Sequence, residues 1–448
     1  MSNQHEDAEL DAFLARYAES EKWKERLADC TPGGAQTMSK RPAAFGTTAY
    51  PGIIMQGDGG RVRDADGNEY VDLVCGLAAI GVGYAEPSIN AAVHAQIERG
   101  VSFSLPTMLE CEVAERLIDL IPCAEMVRFV KTGSEACHAA VRIARKATRK
   151  SQVLVCGYHG WHNWYTATKL EHPGVPDQYT EIVHSFEYNN MASLVQVYNH
   201  ADSLLPTGMS DKKGVAAIIM EPTLMEIPHD GYLEEVRKFC DEKGIVLIFD
   251  EMVTGFRWAT AGAQEYYEVT PDLATYGKAM ANGYAMACVA GKRELMEHGA
   301  VVSGTFGGEA VGLAATMATL NLYDEEPIID AIWSAGRVMW KEFELAFLEA
   351  GLPATLTGWP LHPRADFLLD DAEVNRKCAA LFTQEMAAEG VLIHPAGWNV
   401  CARHHNERDI LAVRKAAQIA SLRVRTALDL GNLDRALIGG VPGRSVRA

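Results

Sequence analysis

Five short apolar runs recur through the middle of the chain: MVRFV at 126 to 130, VLVC at 153 to 156, VAAIIM at 215 to 220, IVLIFD at 245 to 250 and MACVAG at 286 to 291. Amphipathic stretches of helical period separate them. Strands with one wet face alternate apolar and polar residues, whereas unbroken runs bounded by turns are what parallel strands covered on both faces require. The pattern therefore predicts an α/β protein built on a central parallel sheet, starting near Pro87 where the periodicity changes. With 448 residues, 48% of them hydrophobic, the chain has enough apolar surface for that core and a smaller attached unit.

The flanks read differently. Between about Glu9 and Cys30, the residues Leu10, Phe13, Leu14, Tyr17, Trp23 and Leu27 fall at helical spacing, and TPGG from Thr31 ends the segment. IIMQGDGGRVRDADGNEYVDLVCG alternates and turns at Asp66-Gly67, as hairpin strands do. Beyond Tyr323 the pattern is mostly helical, with a strand at VLIH, 391 to 394, and a last helix near Arg408 to Ala427. The expected organisation is an N-terminal segment 1–86, a large α/β unit 87–323 and a C-terminal segment 324–448. The tail GGVPGRSVRA is expected to be mobile.

Charge and cysteine usage narrow the function. The 41 basic and 59 acidic residues give a net charge of −18, opposite to the basic footprint of a nucleic-acid or anionic-membrane binder. The ten cysteines are never closer than twelve residues apart, so no CxxC metal or redox pattern exists, and buried free thiols in a reducing compartment are expected. MSNQHEDAELDAF is acidic and polar, and no run approaches the ~18 apolar residues of a membrane span. A cytoplasmic protein is the expectation.

Four elements could carry chemistry. IVLIFDEMVTGFR ends an apolar strand in Asp250 and Glu251, at the sheet edge where open α/β folds hold ligands; a helix cap or a metal ligand are the plainer uses of such a pair. Lys278 follows in a Gly-flanked turn of DLATYGKAMANGY, either a surface lysine or a partly buried amine able to attack carbonyls. RFVKTGSEACHAAVRIARKAT runs from a strand through Thr132-Gly133-Ser134 into a helix; free amides there suit a phosphate, and a plain cap by Ser134 with Glu135 in the first turn is the alternative. VCGYHGWHNWY places Tyr158, His159, Trp161 and His162 directly after a strand, where an aromatic can stack on a flat ring. His159 and His162 lack a third ligand nearby, as do His404 and His405, so no metal site is expected. A phosphate cradle, a stacking ring, a strand-end carboxylate and an amine nucleophile together are the needs of one cofactor, pyridoxal 5'-phosphate (PLP).

TGSEA at 132 to 136, GYHG at 157 to 160, MEP at 220 to 222, FDEMVTGFR at 249 to 257, DLATYGKAMANGY at 272 to 284 and SGTFGG at 303 to 308 resemble, in order, the motifs of class III aminotransferases. These belong to the fold-type I PLP enzymes, and the likeness is greatest to their glutamate-1-semialdehyde 2,1-aminomutase branch. The resemblance implies a large, mostly parallel sheet domain with a smaller α+β domain formed by both termini. It implies a Schiff base of PLP on Lys278, which also shuttles the proton, and an Asp250 contact to the pyridine nitrogen. Gly133 and Ser134 would hold the phosphate, Tyr158 and Val253 would flank the ring, and Glu221 would join the hydrogen bonds at its edge. Thr305 would reach the phosphate of a neighbouring subunit, which makes a homodimer the expected partner besides a small amino donor and a carbonyl acceptor.

The departures fall on the substrate side. Lys40 and Arg41 stand at or next to the place of the aminomutase's substrate-recognising arginine, HPAGWNV offers Trp398 and Asn399 where a glutamate is expected, and SGTFGGEA and Lys131 also differ. Lys40, Arg41, Arg257 and Arg403 are the basic candidates for a substrate carboxylate. These changes favour an aminotransferase acting on a sugar-like or small polar ketone or aldehyde, with the aminomutase or another PLP isomerase or racemase as the alternative.

Overall fold

The computed structural model describes residue 11 and residues 15–45, 49–204, 212–223 and 225–438. Leu10, Phe13, Leu14 and the C-terminal GGVPGRSVRA lie outside the described residues. The chain divides into two compact units, Met1–Glu86 with Asp330–Ala448, and Pro87–Ile329.

The terminal unit contains the helix Ala18–Cys30. Its first turn is capped from the hairpin predicted at Asp66-Gly67: Asp66 accepts from the Glu19 amide at 2.6 Å and the Ser20 amide at 2.9 Å. Strands β1 (Ile54–Asp58), β2 (Arg61–Asp64) and β3 (Glu69–Asp72) form an antiparallel meander.

The second unit contains β4 (Met126–Val130), β5 (Gln152–Cys156), β6 (Val183–Ser185), β7 (Val215–Met220), β8 (Val246–Asp250), β9 (Leu273–Tyr276) and β10 (Ala287–Gly291) in one seven-stranded sheet, ordered β4-β10-β9-β8-β7-β5-β6. Every residue of β5, β7, β8, β9 and β10 is buried. Alternate side chains feed two separate cores. Val153, Val155, Ala217, Ile219 and Ile248 pack on one face with the helix Gly133–Thr148, while Leu154, Ile218, Met220, Leu247 and Phe249 pack on the other with the helix Tyr232–Lys243. That is why the runs carry no polar alternation. The sheet is mostly parallel, as the resemblance implies, and one of the runs read as a parallel strand needs correction. MACVAG, as β10, runs antiparallel to both β4 and β9; an apolar run reports burial on both faces and carries no sign of strand direction. Because β10 alone is reversed, the remaining six strands end at the same edge.

After the second unit the terminal unit resumes, with the hairpin β11 (Ala354–Trp359) and β12 (His362–Phe367) and with β13 (Val391–Leu392), which pairs parallel to β3. The helices Ala372–Ala388 and Glu407–Asp429 pack with Phe343, Phe347, Phe382 and Trp398 in its core. No helix of the described residues is long and apolar enough to cross a membrane.

Candidate active site

The sheet edge where the six co-directional strands end gathers the predicted chemistry. Thr132 to Ser134 follow β4, Tyr158 and His159 follow β5, Glu221 follows β7, Asp250 ends β8, and Lys278 stands two residues beyond β9.

Asp250 is the best-organised of these groups. It is buried, and its two oxygens accept four contacts: His159 Nδ1 at 2.8 Å and Cys137 Sγ at 3.2 Å on Oδ2, the Thr275 hydroxyl at 3.2 Å and the Met252 amide at 3.1 Å on Oδ1. Burial alone would raise its pKa, but the bonded His159, the Cys137 thiol and the charge of Lys278 outweigh it and hold the carboxyl below its ordinary value. The other nitrogen of His159 faces the Cys156 carbonyl at 3.1 Å, so the ring is held between two acceptors. Burial and the neighbouring carboxylate push the Cys137 thiol up, which keeps it protonated and donating.

The adjacent carboxylate has the opposite fate. Glu251 is also fully buried, but its partners are neutral: the Thr254 hydroxyl and the amides of Ala263 and Gln264, both at 2.8 Å. Burial dominates and pushes it up to about 7. Glu251 therefore pins the loop after β8, and Asp250 alone is kept as a poised anion.

Close backbone approach brings the other groups together. A Cβ on Gly133 would come 2.8 Å from Met252 Sδ, and one on Gly277 would come 2.9 Å from the same sulfur, so Met252 joins the helix start to the lysine turn. Gly160 has φ of +96°, and a Cβ there would fall 2.2 Å from Ser134 Oγ; only glycine lets the GYHG loop pass so near. Lys278 itself is half-buried and holds φ of +50°, a conformation that costs a residue with a Cβ and that gathers at functional sites. Glu221 accepts from the Tyr158 amide at 2.8 Å, fixing where the Tyr158 ring emerges. Val253 is buried in the same loop as Asp250.

The helix cap differs from the expectation. The cap of Gly133–Thr148 is Thr132, whose hydroxyl accepts from the Glu135 amide while Glu135 accepts from the Thr132 amide at 2.9 Å. Ser134 lies inside the first turn, so its hydroxyl and the first amides are spared capping duty and suit an oxyanion. Thr305 is exposed on the turn before the helix Ala310–Glu325, and none of the contacts described above involves it. Lys131, at the place of a common asparagine, is paired with Glu309 at 2.7 Å.

Sequence reading missed Cys137 and Thr275 and gave His159 no partner. Cys137 lies on the buried stripe three residues after Ser134, and Thr275 is a hydroxyl in a fully buried strand; a polar group at each place was the available signal. Of the basic candidates, Arg257 is fully buried and Arg403 places Nε and Nη2 on Glu86 at 3.0 and 2.9 Å. Trp398 and Asn399 are buried in the terminal unit, Asn399 accepting from His362 at 2.7 Å. Lys40 is exposed beside a cavity of about 350 Å³ in that unit, with Tyr50, Asp72, Leu77 and Tyr84.

A buried anion bonded by an imidazole, a half-buried lysine whose charge reaches it, and a helix start whose first amides are not used by its Thr132 cap would suit the ring nitrogen, aldehyde and phosphate of PLP. The family model for class-III aminotransferases matches residues 44–405. The chain is 35% identical over 414 residues to 3-aminobutyryl-CoA aminotransferase of Cloacimonas acidaminovorans (strain Evry), covering 90% of this chain and 97% of that protein. It is 33% identical over 433 residues to glutamate-1-semialdehyde 2,1-aminomutase of Desulfatibacillum aliphaticivorans, covering 89% and 98%. Among solved structures, the FumI protein of Sphingopyxis sp. MTA144 in its PLP internal aldimine form superposes with a TM-score of 0.82 at 25% identity, over 92% of this chain and 97% of that one. An omega-transaminase from Sphaerobacter thermophilus shares the fold, with a TM-score of 0.79 at 24% identity over 91% and 98%. The chain belongs to the class-III aminotransferase family and is a PLP-dependent enzyme.

Proposed function

We propose that the enzyme transfers an amino group from an amino donor to a carbonyl substrate, with Lys278 as the amine that holds PLP and moves the proton. The observation that carries this reading is Asp250, a buried carboxylate held ionised at the sheet edge within reach of the Lys278 charge. Bound PLP supplies an aldehyde for amino groups and a protonated ring that draws electrons from the substrate carbon. The chain does the rest. Asp250 keeps the proton on the ring nitrogen, and His159, Cys137 and Thr275 hold Asp250 in place. Lys278 Nζ would carry the proton between the substrate carbon that bears the nitrogen and the aldehyde carbon of the cofactor on the other side of that nitrogen. The amides of Gly133 and Ser134, with the Ser134 hydroxyl, hold the phosphate, and Tyr158 and Val253 confine the ring between them. Glu221 orients Tyr158.

A homodimer completes this reading, with Thr305 contributed to the neighbouring site. In support, Phe103, Leu105, Met108 and Phe306 are 52%, 78%, 80% and 59% exposed, and the segments that carry them meet: the Ala310 amide donates to the Val101 carbonyl at 2.9 Å, and a Cβ on Gly308 would abut Glu110. An apolar surface of this kind is what a second copy would cover. We place the enzyme in the cytoplasm, where its ten free cysteines suit a reducing environment.

The acceptor is proposed to be a small polar ketone or aldehyde. The aminomutase reading has its own support in relatives of that name at 31% to 37% identity. Titrating the holoenzyme with a panel of amino donors, while following cofactor absorbance and assaying keto product, separates the two. Loss of the lysine-bound cofactor band with one equivalent of keto product is expected. A band that responds to substrate with no keto product from any donor would overturn transamination in favour of the mutase.

A further inference from the structure

The terminal unit holds a second buried cluster, and the amino-transfer chemistry does not use it. Cys75, just after β3, meets Cys401 and His404 from the segment after β13, and all three are 0% exposed. One ligand atom from each, two sulfurs and an imidazole nitrogen, lies within 4.8 Å of the others. The ring is held by its far side: Nε2 faces the Gly60 carbonyl at 2.8 Å. A carbonyl only accepts, so Nε2 carries the hydrogen and the Nδ1 lone pair accepts from the Cys401 amide at 3.1 Å, a bond that an ion at Nδ1 would replace. The His404 amide in turn donates to the Cys401 sulfur. An imidazole that gives one N–H to a backbone carbonyl while offering its other nitrogen beside thiols is oriented as metal-ligating histidines are.

The backbone at Cys75 supplies a separate observation. Cys75, Gly76, Leu77 and Ala78 have φ of +50°, +57°, +61° and +66°, one left-handed turn in which three residues carry a Cβ. Such a turn is disfavoured residue by residue and persists only where its surroundings fix it. At its head the Cys75 thiol reaches the carbonyls of Asp72 and Asn399 at 3.3 and 3.4 Å, contacts that are weak for S–H. A bond from that sulfur to an ion would anchor the turn, and with it Gly76 and Leu77 in the wall of the cavity beside Lys40.

We propose that Cys75, Cys401 and His404 bind one thiophilic d10 cation, Zn2+, through two thiolates and His404 Nδ1, with a backbone carbonyl or water in the fourth position. The two thiolates cancel the charge of the ion, so the buried site stays neutral. Binding releases two protons to solvent and needs no oxidant.

The test uses PLP-loaded holoenzyme, so that Cys137, His159 and Asp250 are engaged elsewhere. After chelator treatment in reductant, it is titrated with Co2+ and then with Zn2+. One Co2+ per chain with thiolate charge-transfer absorbance, displaced by one Zn2+, is expected, together with a higher Tm in Zn2+. Cys401→Ser should weaken binding at least about tenfold and abolish the Tm rise while the cofactor absorbance stays unchanged. Wild-type protein decides the matter if that variant does not fold: no charge transfer at one equivalent overturns the site. So do bands that persist in both Cys75→Ser and Cys401→Ser. A Cys75–Cys401 disulfide in the isolated protein that, once reduced, takes up no ion would overturn it as well.

Discussion

Among the described residues two buried clusters combine cysteine with histidine, and their composition sets them apart. In the central unit, Cys137 and His159 surround a carboxylate, Asp250, and act as donors to it. In the terminal unit, Cys75 and Cys401 surround an imidazole, His404, with no carboxylate among the three. On the proposed function the first cluster would present a fixed anion to the ring nitrogen of the cofactor, and its cysteine would matter for its hydrogen. The second presents two sulfurs and a nitrogen lone pair, and its cysteines matter for their sulfur. The same residue type thus serves opposite ends, decided by whether the group it faces accepts a proton or offers a lone pair.

The largest effect expected from breaking the first cluster's chemistry is at Lys278. Lys278→Ala should lower turnover by about 10,000-fold or more, while PLP still binds without the covalent link and its absorbance shifts accordingly. Uptake of Co2+ at the second cluster should not change. Full activity in this variant would show that the amine lies elsewhere, and loss of Co2+ uptake would show that the two clusters are coupled.

The difference between the clusters also explains what could be read beforehand. Asp250, Lys278, Gly133, Ser134 and Tyr158 were legible because each follows an apolar run within a few residues, and a parallel sheet delivers successive run ends to one edge. The antiparallel β10 was not legible, because burial leaves no mark of direction. Cys137 and Thr275 were hidden inside apolar stripes, where a thiol or a hydroxyl passes for packing. The Cys75–Cys401–His404 cluster could not be read at all. Its members are joined by the parallel pairing of β3 with β13, a long-range contact that leaves no local spacing, and nothing in the charged stretch around His404 marks it as fully buried.

The pair Asp250 and Glu251 sharpens the comparison through pH. Burial raises Glu251 from its ordinary 4.5 to about 7, so the folded protein holds that proton more tightly than the unfolded chain does. Its contribution to stability is present below pH 4.5 and declines as pH rises toward 7, by about 3 kcal/mol. Asp250 is depressed below its ordinary 3.8, so its contribution has the opposite sign, present above that value and lost as pH falls through the lowered one. Urea unfolding between pH 4 and 8 should therefore show a stability difference between wild type and Glu251→Gln that changes through this window and is flat above it. A pH-independent difference would mean that Glu251 titrates normally.

Removing the imidazole tests whether Asp250 needs its donor. His159→Phe keeps the ring stacked between neighbours but leaves Asp250 Oδ2 without its closest partner. A hydrogen bond to a charged group is worth about 1.5–3 kcal/mol, so kcat/KM should fall about tenfold to a hundredfold. As a positioning effect it should appear in kcat and in the pH at which the bound cofactor's absorbance changes, with KM for the donor little altered. A loss confined to KM would assign His159 to substrate binding.

The smallest effect is at Cys137, and it sets the two clusters against each other most directly. The thiol is a weak donor to Asp250 at 3.2 Å, so Cys137→Ala should lower kcat by no more than about fivefold, and Cys137→Ser, which restores a donor of smaller radius, should recover most of that loss. At Cys401 the same change to serine should recover nothing, because a hydroxyl is a poor ligand for a thiophilic ion. If serine substitutes equally well at both positions, Cys401 is also a hydrogen-bonding residue. If it fails equally at both, the cysteine beside Asp250 acts through the volume or polarisability of its sulfur, and its donor role is wrong.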